Sequence, residues 1–327
     1  MRFDVHGVTL ALEGPAQVLD PLARDFAWFA APGEGGEGRA DVEIRASLSD
    51  PPPLPLARAR MQLPASVVYD AGGARWVDYH SQARVRLEGD RAEAWGRDPV
   101  RLAEIVYLLA LSRIGERHDR LGLHRLHALA FSLHGRTCAV LLPEGGGKST
   151  LALALLANPE VRLLSEDTPL VAPGGRILPF PLRIAVRDGT PLPFPAEHVR
   201  TFTRARHGTK QVLDLEAFRD RIGEAAVLTD LLVGLRSTGE PGVEPLPALA
   251  LLPALSANLV FGLGLPQVVE YFLRGGLADV PGKSGIAFSR FGTALGLLRR
   301  ARLGRLVLGT DAAENARTVS HWVETGC

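Results

Sequence analysis

CAVLLPEGGGKST, residues 138–150, carries an apolar run of strand length into a glycine loop, and LALALLA, residues 151–157, continues it as a helix-forming run. Strand, glycine loop, Lys-Ser, helix is the order in which chains cradle phosphate. Gly145, Gly146 and Gly147 let successive backbone N–H groups turn toward one anion, and the helix behind them adds the positive end of its dipole. Lys148 then reaches the β and γ phosphates of a nucleotide, and the Ser149 hydroxyl ligates Mg²⁺, with Thr150 beside it in the nucleotide site. The eight-residue phosphate-loop pattern asks for glycine where Leu142 stands, so the formal signature fails at its first position. A glycine-rich turn with an exposed lysine is the plain alternative. The strand and helix context on both sides favours the nucleotide loop.

A second constellation follows the loop helix. Asn158 and Pro159 stop that helix, and Val161–Leu164 leads as an apolar strand into Ser165, Glu166 and Asp167. Two adjacent acids at such a strand end hold Mg²⁺ or activate a nucleophile, unless they form only a solvated turn before Thr168 and Pro169. Successive side chains on extended backbone face opposite ways, so Glu166 and Asp167 are expected to do different jobs. Upstream, LHRLHALAFSL, residues 123–133, reads as a strand beside the loop strand, with His127 on it. A lone histidine in an apolar run is more often a satisfied core residue than a functional one.

Composition narrows the class. The chain has 327 residues, 46% hydrophobic and 22% charged, enough for one large or two ordinary domains of a soluble globular protein. A formal net charge of +1 supplies no global field for nucleic acid or an anionic membrane. Two cysteines, Cys138 and Cys327, without metal-ligand spacing to histidines, fit a reducing, cytoplasmic compartment. The N-terminus, MRFDVHGVTL, does not read as a signal peptide. Pro245–Gln267 is uncharged, but its prolines and glycines break it repeatedly, so it reads as core rather than as a membrane span.

Residues 1–120 read as a β-rich N-terminal domain ending in a helix, suited to docking a substrate or partner. Asp41–Ala46, Arg75–Tyr79 and Ala83–Leu87 alternate polar and apolar residues, and Gly33–Gly38 and Ser49–Pro55 read as loops. Trp28, Trp76, Tyr79 and Trp95 are expected to serve packing. Asp98 and Pro99 open a helix with Leu102, Ile105, Val106, Leu109 and Ile114 on its buried face, and Glu116–Leu121 reads as the joint to a second domain, residues 121–327. In that domain Val171–Leu178 reads as a hairpin and Leu182–Val186 as a strand. Val227–Arg236 reads as a strand that turns at Gly239–Gly242. Arg200–Lys210 reads as a basic loop, either a clamp on phosphates or acidic peptide through Arg200, Arg204, Arg206, His207 and Lys210, or a solvated loop. Arg305–Leu308 is a further strand, and Thr310 or Asp311 caps a last helix that buries Ala316, Val319, Trp322 and Val323.

The order LHALA, then CAVLLPEGGGKSTLALALL, then LLSEDTPLV resembles the catalytic domain of the HPr kinase/phosphorylase family and its relatives, from about Leu121 to the C-terminus. LLVGLR and VEPLP, residues 231–236 and 243–247, add a weaker likeness. The resemblance implies an α/β fold of the HPr kinase and phosphoenolpyruvate-carboxykinase-like P-loop type. It implies ATP and Mg²⁺ as cofactors, held at Gly145–Thr150 with Ser149 and Glu166 on the metal. It also makes Asp167, with Glu166, the acceptor of a substrate hydroxyl proton, and places His127 beside the transferred phosphate. Lys210 or a neighbouring arginine would neutralise the transferring group. Glu166 stands where the family has aspartate and Leu142 where it has glycine, and no H-x-x-E-x-R-G segment is present, so phosphorolysis is not implied. The expected activity is phosphorylation of a serine or other hydroxyl on a protein or peptide substrate, by a protein that could act as a homo-oligomer. A small-molecule kinase or phosphate-handling lyase on the same scaffold, and a non-catalytic P-loop partner or assembly protein, are the alternatives.

Overall fold

The computed structural model describes residues 1–30, 38–63, 65–204, 208–260 and 280–326, and the chain divides into two compact units, Met1–His118 and Asp119–Cys327. It is a mixed α/β protein with several sheets. Among the described residues no helix is long and apolar enough to cross a membrane.

In the first unit, strands β1 (Arg2–Val5) and β2 (Val8–Glu13) form a hairpin. Helix α1 (Ala16–Asp25) then provides the crossover that a parallel neighbour requires, and β3 (Val42–Leu48) pairs parallel to β2. The helix was not anticipated from the sequence. It buries Val18, Leu19 and Leu22 on one side and carries Pro21 within it. Strands β4 (Ala59–Leu63), β5 (Ser66–Ala71), β6 (Ala74–Asp78), β7 (Ala83–Glu88) and β8 (Arg91–Gly96) form an antiparallel meander whose last strand pairs with β3. Trp76 and Trp95 stack at 6.2 Å and are half-buried. Helix α2 (Pro99–Arg120) is capped by Asp98, which accepts from the Val100 N–H at 2.9 Å, and all five predicted apolar positions are buried. The expected joint Glu116–Leu121 is helical as far as Arg120, with Glu116 paired to Arg113 one turn earlier at 2.7 Å.

The second unit is built on a six-stranded sheet. Strands β9 (His124–Arg125), β10 (Leu129–Leu133) and β11 (Arg136–Leu141) lead into helix α3 (Lys148–Leu156) and β12 (Arg162–Ser165). Then come β13 (Leu170–Ala172), β14 (Arg176–Leu178), β15 (Ile184–Arg187), β16 (Val199–Arg204), β17 (Gly208–Leu213), β18 (Ala226–Val227), β19 (Asp230–Arg236) and β20 (Gly242–Pro245). Helices α4 (Ala248–Leu255) and α5 (Val280–Arg300), strand β21 (Arg302–Leu308) and helix α6 (Ala312–Thr325) complete it. The main sheet runs β12-β10-β11-β19-β21-β20, with β11, β19 and β21 parallel. Chain β19 thus does not fold back on β20 at Gly239–Gly242, since β21 inserts between them.

Ala139 and Leu141 on β11 pack in one apolar cluster with Leu251 and Leu255 of α4 and Ala294 and Leu297 of α5, while the alternating Cys138 and Val140 point to the opposite face. Burial, with the Asp230 carboxylate adding to it, pushes the Cys138 thiol well above its ordinary range, so it packs as a small apolar group. Helices α3 and α6 pack against each other. Asp311 caps α6, and Ala316, Val319, Trp322 and Val323 are buried as the periodicity predicts. The expected hairpin at Val171–Leu178 is the pair β13/β14. The described parts of the basic segment, residues 200–204 and 208–210, are strands of the pair β16/β17 rather than loop, because β17 is sandwiched between β15 and β16. Arg206 and His207 lie outside the described residues, as do residues 33–37 and 261–267 of the stretches read above as loop and core.

Candidate functional site

The glycine loop leaves the end of β11 and enters α3. Gly147 takes a left-handed backbone, φ 101°, which a side chain would strain, and it begins the helix with no side-chain cap. The first amides of α3, from Lys148 onward, therefore lack an acceptor within the helix. Over Gly145 and Gly147 there is open space, with nothing within 4 Å of where a β-carbon would stand. An anion has room there and donors to meet it, so a nucleotide phosphate fits these residues. Gly146 is held down by its N–H donating to Pro143 O at 2.9 Å. Thr150 is exposed in the first turn.

Lys148 is buried, with its ammonium turned across the loop. Nζ donates to Leu142 O at 2.9 Å and to His127 Nε2 at 2.8 Å, and lies 3.6 Å from Asp167 Oδ1. His127 Nε2 is also 3.1 Å from Asp167 Oδ1. Ser149 Oγ–H donates to Glu166 Oε1 at 2.6 Å. Loop lysine, loop serine, histidine and both acids thus converge, with Glu166 and Asp167 given to different partners.

The two carboxyl groups are driven in opposite directions. Burial, with the Asp167 charge beside it, pushes Glu166 up to about 7, against the Ser149 hydrogen bond and the charges of Lys148 and Lys210. For Asp167 burial also disfavours the charge, but a protonated His127, through its hydrogen bond and its charge, and the Lys148 charge outweigh it and hold the carboxyl below the usual value. Asp167 keeps 43% of its side chain exposed, so its carboxyl is open to solvent. The two adjacent carboxyl groups thus differ both in acidity and in hydrogen-bond partner.

The strand expected through His127 is interrupted. His127 lies between β9 and β10, where the chain leaves the four-stranded sheet β18-β14-β13-β9 for the main one. Leu126 N–H donates to Pro169 O and Ala128 N–H to Asp167 O, both at 3.0 Å, so this link runs alongside the segment after β12 and sets the ring against Asp167. Lys210 sits on β17 opposite Phe202 of β16, and its charge is felt at Glu166. Arg200 is committed to Asp214 at 2.5 Å. Asn258, which the sequence reading did not single out, bonds the other ring nitrogen of His127, Nδ1, at 3.0 Å. No local pattern marks an asparagine 131 residues away as its partner.

Ser149 Oγ and Glu166 Oε1 are hard oxygen donors of the kind Mg²⁺ takes. Among the described residues no cluster of three or more His, Cys, Asp or Glu side chains is arranged to hold a metal. Mg²⁺ commonly binds through one or two protein oxygens together with substrate phosphates, which these two donors suit. Compared with known proteins, the chain matches no protein-family profile. No curated protein matches it either.

Proposed function

We propose that this protein is an ATP- and Mg²⁺-dependent kinase of the HPr kinase-like P-loop type that transfers phosphate to a hydroxyl of a protein or peptide. The observation that carries this reading is the convergence of Lys148 and Asp167 on His127 Nε2, at 2.8 and 3.1 Å, where the glycine loop enters its helix. In it, the amides of Gly145–Thr150 and the Lys148 ammonium hold the phosphates, and Lys148 leaves Leu142 O to do so. Asp167, ionised and partly exposed, orients the acceptor hydroxyl and takes its proton, with His127 Nε2 next in line. Lys210 offsets negative charge near the acids. Mg²⁺, on Ser149 and Glu166, would neutralise charge on the phosphates. Little covalent chemistry is asked of the protein in such a transfer, so positioning and electrostatics suffice.

Calorimetric titration of ATP with Mg²⁺ into the wild-type chain and into Lys148→Ala tests it. Binding that the substitution removes supports the loop as a nucleotide site. No binding to the wild type at millimolar nucleotide overturns the kinase reading.

A further inference from the structure

Helix α4 runs into a π turn, Ser256–Val260, and the hydrogen bonds that fix His127 come from it. Asn258 O accepts the His127 N–H at 3.2 Å, and Asn258 Oδ1 lies 3.0 Å from His127 Nδ1. The amide nitrogen of Asn258 donates to Ala254 O at 2.7 Å. That last bond decides which end of the amide is which: nitrogen faces a carbonyl, so oxygen faces the ring. An amide oxygen can only accept, so Nδ1 carries a proton.

The consequence falls on the other nitrogen. With Nδ1 protonated, a neutral ring presents a bare Nε2, and Lys148 Nζ donates to it at 2.8 Å. Asp167 Oδ1, 3.1 Å from the same atom, is an acceptor and takes a hydrogen bond from Nε2 only when Nε2 bears a proton. One nitrogen thus faces two partners that require opposite states of it.

The turn that carries Asn258 is itself clamped. Arg290 of α5 donates from Nη1 to Leu259 O at 3.1 Å and Val260 O at 3.3 Å, the two carbonyls that follow Asn258. Its Nε and Nη2 hold both oxygens of Asp119 at 2.9 and 2.6 Å. His124 Nδ1 is 2.8 Å from Asp119 Oδ1, and its Nε2 is 2.8 Å from Ser289 Oγ. Asp119, His124 and Arg290 are all buried. Burying such a pair is costly, and its spare donors are spent on the π turn. Ser289 sits inside a helix whose amides bond within it, and Asp119 is already matched by Arg290, so this serine-histidine-aspartate series serves the clamp.

We propose that Asn258 is a positioning residue that holds His127 in the Nδ1–H tautomer, making Nε2 the single atom through which His127 exchanges a proton with Asp167 and releases Lys148. The catalytic meaning rests on the kinase reading, whereas the tautomer does not. In the transfer, the acceptor O–H bond breaks as its oxygen bonds the γ-phosphorus, and the bond from that phosphorus to the β-bridging oxygen breaks with its electron pair leaving on ADP. The acceptor proton passes to Asp167 and on to Nε2, and the ring becomes imidazolium with Nδ1–H still held by Asn258.

The test uses the full chain with ¹⁵N-labelled histidine, without nucleotide, at a pH where the ring is neutral. Two-bond ¹H–¹⁵N correlation distinguishes a protonated from a bare ring nitrogen, and His127→Gln assigns the signal. The expected wild-type spectrum shows Nδ1 protonated and Nε2 bare. Asn258→Leu, which removes the accepting oxygen, populates the other tautomer, while Asn258→Asp, which keeps an accepting oxygen, retains Nδ1–H. A wild-type ring protonated at Nε2, or an Asn258→Leu spectrum identical to wild type, overturns the proposal, and the wild-type result decides even where a variant does not fold. In phosphotransfer, Asn258→Leu lowers kcat by about 10- to 100-fold with the KM for ATP little changed, the size of loss found when the hydrogen-bond partner that orients a metal-bound histidine is removed. Wild type without any transfer overturns the kinase reading while the spectrum still decides the role of Asn258.

Discussion

Leu142 and Gly234 share one space: a β-carbon on Gly234 of β19 would stand 2.5 Å from Leu142 Cδ2. Leu141 pairs with Val233 across the parallel β11/β19 ladder, so Leu142 falls beside Gly234 at the next step. Leu142 is buried to 1% exposure there, and its carbonyl receives the Lys148 ammonium. The glycine that the phosphate-loop pattern asks for at position 142 is thus replaced by a leucine whose side chain is accommodated by a glycine on the neighbouring strand.

Gly234→Ala forces the added methyl against Leu142 and moves the loop entry. Overpacking of this kind costs about 1–3 kcal/mol. Denaturant unfolding should show that loss, and Leu142→Ala in the same chain should recover part of it. Additive losses in the double variant would mean that the two residues do not compete for space.

Leu142→Gly, which completes the formal loop signature, should destabilise the protein. A large apolar side chain is removed from a buried site and leaves a void over Gly234, which for leucine truncations costs about 2–5 kcal/mol, with added backbone freedom. Thermal unfolding at matched pH checks it. A stability equal to wild type would mean that the site collapses without cost.

On the proposed kinase reading, Asp167→Asn should abolish transfer while leaving nucleotide binding nearly intact, since the partly exposed, ionised carboxyl is the group that would take the acceptor proton. The amide cannot take a proton at neutral pH, so a loss on the order of 10²- to 10⁴-fold in kcat is expected for a lost general base. Steady-state transfer with calorimetry on the same preparation measures both. Transfer at the wild-type rate removes Asp167 as the base.

Glu166 should shape the stability of the protein in the absence of nucleotide and metal. Its folded value lies near 7 and its ordinary value at 4.5, so between these the folded chain binds more protons than the unfolded one. Stability therefore falls as pH rises through that window, and the loss is complete above about 7. Asp167 acts in the opposite sense at lower pH: its depressed value contributes stability present above the ordinary 3.8 and lost as pH falls through the folded value. Glu166→Gln should flatten the decline from pH 4.5 to about 7 in urea midpoints. An unchanged decline would place its source in other groups.

The strand, glycine loop and helix start of residues 138–156 were legible because each of their demands is local. A strand, a left-handed glycine and a helix start leave their marks within a dozen residues, as do the Asp98 and Asp311 caps and the buried faces of α2 and α6. Helix α1 and the strands β16 and β17 were not legible. A proline lies within the first, and a cluster of basic side chains hides the period-2 pattern of the second, which pairing with β15 stabilises.

The amino-acid sequence by itself determined that a glycine loop joins strand to helix and that two acids follow it, because backbone conformation and apolar periodicity are properties of neighbouring residues. Tertiary structure alone decided what those groups face. It set Gly234 against Leu142, broke the strand at His127, turned Lys148 onto His127, and brought Asn258 to the far side of the ring. Each is a meeting between distant positions, fixed by sheet order and by the clamped turn Ser256–Val260, and hydrogen-bond partners at such separations leave no signal in local spacing.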